Sequence, residues 1–175
     1  MDVNSMIRKT MLLACALALS ACVTTPPDQL TITTEKKEFL YDYSVPGISK
    51  DELYTRASDY LAITYNNSKV ISRVEDKERG TIIAKAVSSW KLSIDSFVIT
   101  GMPCYSNYDI YFIAKDGRAR LQLALVPGAP NPSVCGWTLP PKRDYPQIVG
   151  QFDNISKEMQ SALNGNGKLD KLNDF

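Results

Sequence analysis

Apolar and polar positions alternate along this chain in two rhythms, and the change of rhythm marks the elements. In "EFLYDYSV" the period is two: Phe39, Tyr41 and Tyr43 share one face, which predicts a strand. After "PGISKDEL" the period lengthens, and Leu53, Ala57, Tyr60, Leu61 and Thr64 form the stripe of a helix that runs to about Asn66. Ser49 opens that helix, and Glu52 completes a Ser-x-x-Glu capping box. The period of two then returns. "KVISRVE" and "GTIIAKAVSSW" read as strands joined by "DKERG", a turn closed by Gly80, and Trp90, Leu92 and Ile94 carry the alternation onward. "NYDIYFIAKDGRARLQLALV" is the clearest hairpin. Tyr108, Ile110 and Phe112 share one face and Leu121, Leu123 and Leu125 another, around the turn Lys115-Asp116-Gly117-Arg118. Residues 127–144 form a proline-stiffened loop. Ile148, Phe152, Ile155, Met159 and Leu163 then recur at helical spacing, with Asp144 or Tyr145 at the cap, Pro146 in the first turn and Gly165 as the stop. The predicted order is strand, helix, about four antiparallel strands, helix. An α+β fold with both helices on one face of a mostly antiparallel sheet buries both stripes together.

The N-terminal segment follows a different logic. Arg8 and Lys9 precede "MLLACALALSA", an apolar run too brief to span a bilayer, and small residues close it. This is the layout of a secretory signal peptide over residues 1–21. Met6 gives a more compact positive region than Met1 as a start. "Leu19-Ser20-Ala21-Cys22" resembles a bacterial lipobox. The resemblance implies cleavage before Cys22, a diacylglycerol on its thiol and a third acyl chain on its amine, an anchor firmer than a single chain gives. The alternatives are an ordinary cleaved signal with an incidental cysteine, and an uncleaved anchor helix. Val23 stands where an Asp would favour inner-membrane retention in enterobacteria-like sorting, so the anchor leans toward the outer membrane, facing the periplasm. Residues 22–36, rich in Thr and Pro, read as a lipidated tether, 37–165 as the folded domain and 166–175 as a polar tail.

On this reading Cys15 leaves with the signal and Cys22 carries lipid, which sets Cys104 and Cys135 apart as a pair in an oxidising compartment. A Cys104–Cys135 disulfide is expected, closing a loop of about 30 residues and contributing roughly 3–4 kcal/mol. Two thiolates without histidine make a poor metal site, and redox couples usually use Cys-x-x-Cys.

Charge and composition narrow the chemistry. The chain holds 20 basic and 19 acidic residues; without Arg8, Lys9 and Asp2 of the signal the counts become 18 and 18. A neutral mature chain has no electrostatic attraction for nucleic acid. The chain has no histidine, which removes the commonest general base and metal ligand. It has no phosphate loop, nucleophile elbow or metal cluster, so neither catalysis nor a cofactor is expected. Asp76, Lys77 and Glu78 read as a solvated turn. Asp109, Tyr111, Arg118 and Arg120 read as exposed strand residues paired across the hairpin rather than as an anion site.

β-α-β4-α is the order of the TATA-binding-protein-like fold. The stretch from "SVPGISKDELY" through "SKVISRVEDKERGTIIAK" resembles the opening of a bacterial domain-of-unknown-function family, DUF4468, assigned that fold, and Lys115-Asp116-Gly117-Arg118-Ala119-Arg120 resembles a later hairpin of it. The likeness covers about residues 38–165. It implies the fold and a secreted or lipoprotein setting, and it implies no activity. The Cys104–Cys135 pair with its proline-rich loop departs from the family pattern. The expectation is a non-catalytic scaffold that engages another envelope protein through the bare sheet face or an edge strand. The alternative is a carrier of a small apolar ligand, held between Leu121 and Leu123 of the sheet and Ile148, Phe152, Ile155 and Met159 of the last helix. The simpler reading of those six residues is that they fill the core.

Overall fold

A computed structural model describes residues 36–65, 73–92, 102–126, 135 and 139–167. Cys15, Cys22, the signal segment, most of the tether, Ile94, much of the proline-rich loop and the end of the tail lie outside the described residues. The elements run β1 (Glu38–Ser44), α1 (Lys50–Thr64), β2 (Arg73–Asp76), β3 (Thr81–Leu92), β4 (Met102–Lys115), β5 (Arg118–Leu125) and α2 (Tyr145–Leu163). The five strands form one antiparallel sheet in the order β1-β5-β4-β3-β2. The first strand thus pairs at the far edge with the last, and α1 carries the chain across the sheet to begin β2 at the opposite edge.

Local chemistry explains the boundaries. Ser49 accepts a hydrogen bond from Glu52 N at 3.3 Å and so caps α1. The reciprocal half of the expected capping box is replaced: the Glu52 carboxylate accepts from Arg56 Nε at 2.7 Å, one turn on. The helix ends at Thr64, earlier than expected. Thr64 is exposed and Tyr54 is buried in its stead, so the buried stripe is Leu53, Tyr54, Ala57 and Leu61. Gly80 adopts φ +65° where a Cβ would meet Ala114 O at 2.8 Å, so the β2–β3 turn needs glycine twice over. Gly117, at φ +71°, makes the two-residue Asp116-Gly117 hairpin turn. Asp144 stands at the N-cap of α2, but its side chain makes no capping bond; Pro146 in the first turn lacks the N–H that would need one. Gly165, at φ +78°, stops α2 as expected.

The core lies between the helices and one face of the sheet. Register corrects the hairpin here: Ile110 pairs with Leu123 and Phe112 with Leu121, so both sets of residues point to the same face. Leu121, Leu123, Ile148, Phe152 and Met159 are fully buried, and Ile155 is half-buried against them. Phe152 packs edge-on against Phe39 with ring centroids 5.1 Å apart, and lies 4.9 Å from Tyr108. Tyrosines fasten α2 to the sheet through their hydroxyls. Tyr41 donates to Asp153 Oδ1 at 2.9 Å, and Tyr43 shares a hydrogen bond with Ser156 Oγ at 2.9 Å. Burial pushes the Tyr43 phenol up to about 12. Cys104 and Cys135 form a disulfide with Cα atoms 5.4 Å apart, which ties the loop before α2 to β4.

Candidate docking face

The face of the sheet away from the helices is assembled from the other half of each strand's alternation. Register lays its side chains out in lines across the strands. One line reads Val74, Ile83, Tyr111, Gln122, Leu40, from β2 through β3, β4 and β5 to β1. It spans about 20 Å at the usual strand spacing. The next line reads Asp76, Thr81, Ile113, Arg120, Asp42. Among the described residues, the exposed large apolar side chains are Leu40, Val74, Ile83, Tyr111 and Ile113, between 37% and 61% exposed, and every one belongs to these two lines. Scattered exposed apolar residues are ordinary; here Val74, Ile83, Tyr111 and Ile113 are neighbours across three strands, and Leu40 lies beyond Gln122.

Charged lines border the band on both sides. On one side Lys85 lies opposite Asp109, and Glu38 ends the line on β1. Asp109 accepts a hydrogen bond from the Tyr111 hydroxyl at 3.2 Å. Partial burial and that carboxylate raise the Tyr111 phenol above its ordinary value. On the other side Arg120 clasps Asp42 with two hydrogen bonds, Nε to Oδ1 at 2.6 Å and Nη2 to Oδ2 at 2.9 Å. The guanidinium holds the Asp42 carboxyl below the usual carboxylate range. Arg120 therefore pairs with β1, not across the β4–β5 hairpin as the sequence suggested. Arg118 lies directly opposite Lys115, a like charge.

A concavity of about 200 Å³ lies on the helical side between the C-terminal halves of α1 and α2. Two of its polar side chains bridge the helices. Arg56 donates to Leu163 O at 2.8 Å and so caps α2 from the neighbouring helix, and Tyr60 donates to Glu158 Oε2 at 3.2 Å. The concavity is not lined by the six residues of the expected ligand cavity, which instead meet one another in the core.

Two residues that sequence reasoning passed over bind the backbone of β3. The described part of β2 pairs with Thr81–Ala84, and farther along β3 the backbone of Ser89 and Lys91 meets side chains of α2. Gln147 accepts from Lys91 N at 2.9 Å and donates to Lys91 O at 2.9 Å, and Gln151 donates to Ser89 O. Their side-chain amides satisfy the backbone of Lys91 and Ser89 as a neighbouring strand would. The signal was two glutamines four residues apart, beside the apolar stripe of α2.

Residues 39–126 match a family described as a domain of unknown function (DUF4468) with TBP-like fold. Among curated proteins, none matches this chain by sequence. A TBP-like protein from Parabacteroides distasonis is similar in structure, with a TM-score of 0.58 at 11% identity, over 72% of this chain and 91% of that one. A DUF4468 family protein from Bacteroides ovatus has a TM-score of 0.50 at 14% identity, over 80% of this chain and 94% of its own. At these identities the likeness concerns the fold.

Proposed function

The chain belongs to the DUF4468 family, a family of unknown function with a TBP-like fold, and from that premise we propose that it is a non-catalytic docking module of the bacterial cell envelope. The observation that carries this reading is the apolar band across the bare sheet face. Val74, Ile83, Tyr111, Ile113 and Leu40 form it from four separate strands, with polar residues on either side. An apolar centre containing an aromatic residue, within a charged rim, is the composition of a protein–protein interface. The anchor rests on the sequence: Cys22 closes Leu19-Ser20-Ala21-Cys22 behind the signal segment, and the tether over residues 22–36 holds the domain away from an outer membrane, on its periplasmic side. An envelope protein is the partner.

A photo-crosslinking amino acid at Ile83 tests the face in living cells, with the same probe at Lys157, exposed on α2, as control. The Ile83 probe yields a discrete adduct with another envelope protein, and the Lys157 probe does not. Equal labelling from both positions, or none from Ile83, refutes the docking face. The anchor has its own test: Cys22→Ser loses acyl labelling and leaves the membrane fraction, and a variant that stays there refutes it.

A further inference from the structure

At the hairpin end of the same face, the structure places charges where a hairpin ordinarily avoids them. Lys115 and Arg118 flank the Asp116-Gly117 turn and pair directly across it. Like charges in that position repel and weaken the hairpin. The neighbouring carboxylates do not relieve them. Asp116, inside the turn, faces the start of α1 and accepts from Lys50 N at 2.7 Å. Asp42 is taken up by both arms of Arg120. Among the described residues, the side chains of Lys115 and Arg118 have no carboxylate or hydrogen-bond partner. Both line an open concavity of about 650 Å³, together with Ser44, Ile113 and the Arg120–Asp42 pair. Ser44 lies opposite Arg118 on β1 and adds a hydroxyl to the same line.

The geometry points to an anion site that takes the phosphate of an organic phosphate. Two uncompensated positive charges match a phosphate monoester, which carries about −1.5 to −2 at neutral pH. A guanidinium fork, an ammonium and a hydroxyl are the donors that phosphate oxygens accept from. The concavity is larger than a bare phosphate, and half-exposed Ile113 at its side offers an apolar rest for the esterified group. The sequence reading set an anion site aside because exposed hairpin charges usually pair with their cross-strand neighbours; here the cross-strand neighbour of Arg118 has the same sign. This inference is independent of the docking face: it needs no protein partner.

The phosphate source is either a free metabolite or a lipid headgroup, and two arms separate them. Inorganic phosphate is titrated into the full-length protein in detergent at about 0.1 M salt while the Arg side-chain N–H signals are followed by NMR. Phosphatidylcholine vesicles, with and without phosphatidic acid, are tested by co-flotation of the Cys22→Ser protein, which carries no acyl anchor of its own. The Arg118 Nε signal shifts saturably, and the Arg120 signal, held by Asp42, moves little. Lys115→Gln and Arg118→Gln each bind about tenfold more weakly, as expected for loss of one charge-assisted contact. Saturation by phosphate without vesicle binding identifies a soluble ligand; flotation that depends on phosphatidic acid identifies a headgroup. Arg118→Glu checks that lost binding is not lost folding: it turns repulsion into attraction, so its urea midpoint equals or exceeds that of the unmodified protein. Saturable binding in neither arm, unchanged affinity in both Gln variants, or a lowered midpoint for Arg118→Glu overturns the site.

Discussion

Tyr108 and Tyr111 stand three residues apart on β4 and live in different worlds. Tyr108 is 2% exposed, packs on Phe152 and shares a 2.8 Å hydrogen bond with Tyr65, and burial drives its phenol far above the ordinary value. Tyr111 is 39% exposed and reaches only Asp109 on its own strand. The same contrast runs across the whole sheet. One face is sealed by two helices and bolted by tyrosine hydroxyls. The other carries mostly charged and polar side chains, with the apolar band set among them, and is left open. Strand periodicity marks the more apolar face as the one to be covered, and the helices cover it. The difference arises because both helices return to one side, and the apolar groups remaining on the other are available for association.

The sharpest way to break the comparison is to empty the covered face. Phe152→Ala removes the ring between Phe39 and Tyr108 and destabilises the domain by about 3–5 kcal/mol in urea unfolding. A loss below about 1 kcal/mol would mean that the face is not close-packed. Cys135→Ser, which frees the loop from β4, costs roughly 3–4 kcal/mol by the same measurement. Alkaline titration probes the tyrosine bolts. The folded state holds the Tyr43 phenol near 12 while the unfolded chain ionises near its ordinary value of 10.0. The Tyr43 contribution is therefore fully present below about pH 10 and is lost as pH rises through about 12. Tyr43→Phe flattens that decline, and an unchanged alkaline limb would disprove the assignment. Ser49→Ala, at the cap of α1, costs about 1 kcal/mol. The smallest effect belongs to the open face: Ile83→Ser and Ile113→Ser each change stability by less than about 0.5 kcal/mol while reducing capture of the partner. If they destabilise as strongly as Phe152→Ala, the two faces do not differ in the way described.

Much of this was legible in advance because the signals are local. The Ser49 cap, the Gly80 and Gly117 turns, the Gly165 stop and the α2 stripe each depend on a few neighbouring residues. The errors occur where a distant element intervened. Glu52 turned from the cap to Arg56, because Arg56 lies one helical turn away and also caps α2 through Leu163. Tyr54 replaced Thr64 in the buried stripe of α1, since its ring packs into the core and its hydroxyl reaches Glu75 of β2. Gln147 and Gln151 were passed over because the backbone they bond, at Lys91 and Ser89, lies far from them in the chain. The docking band was legible as single outward positions, never as a band.

By itself, then, the sequence determined the element order, the α+β class, the family and the identity of most core residues. Periodicity, caps and turns are properties of short stretches, and the chain spells them out in order. Only the tertiary structure decided that Val74, Ile83, Tyr111, Gln122 and Leu40 fall in one line, and that Arg118 meets Lys115 while Arg120 is claimed by Asp42. These are pairings between strands far apart in the chain. Register sets them, and register is fixed only when the whole sheet closes against its helices.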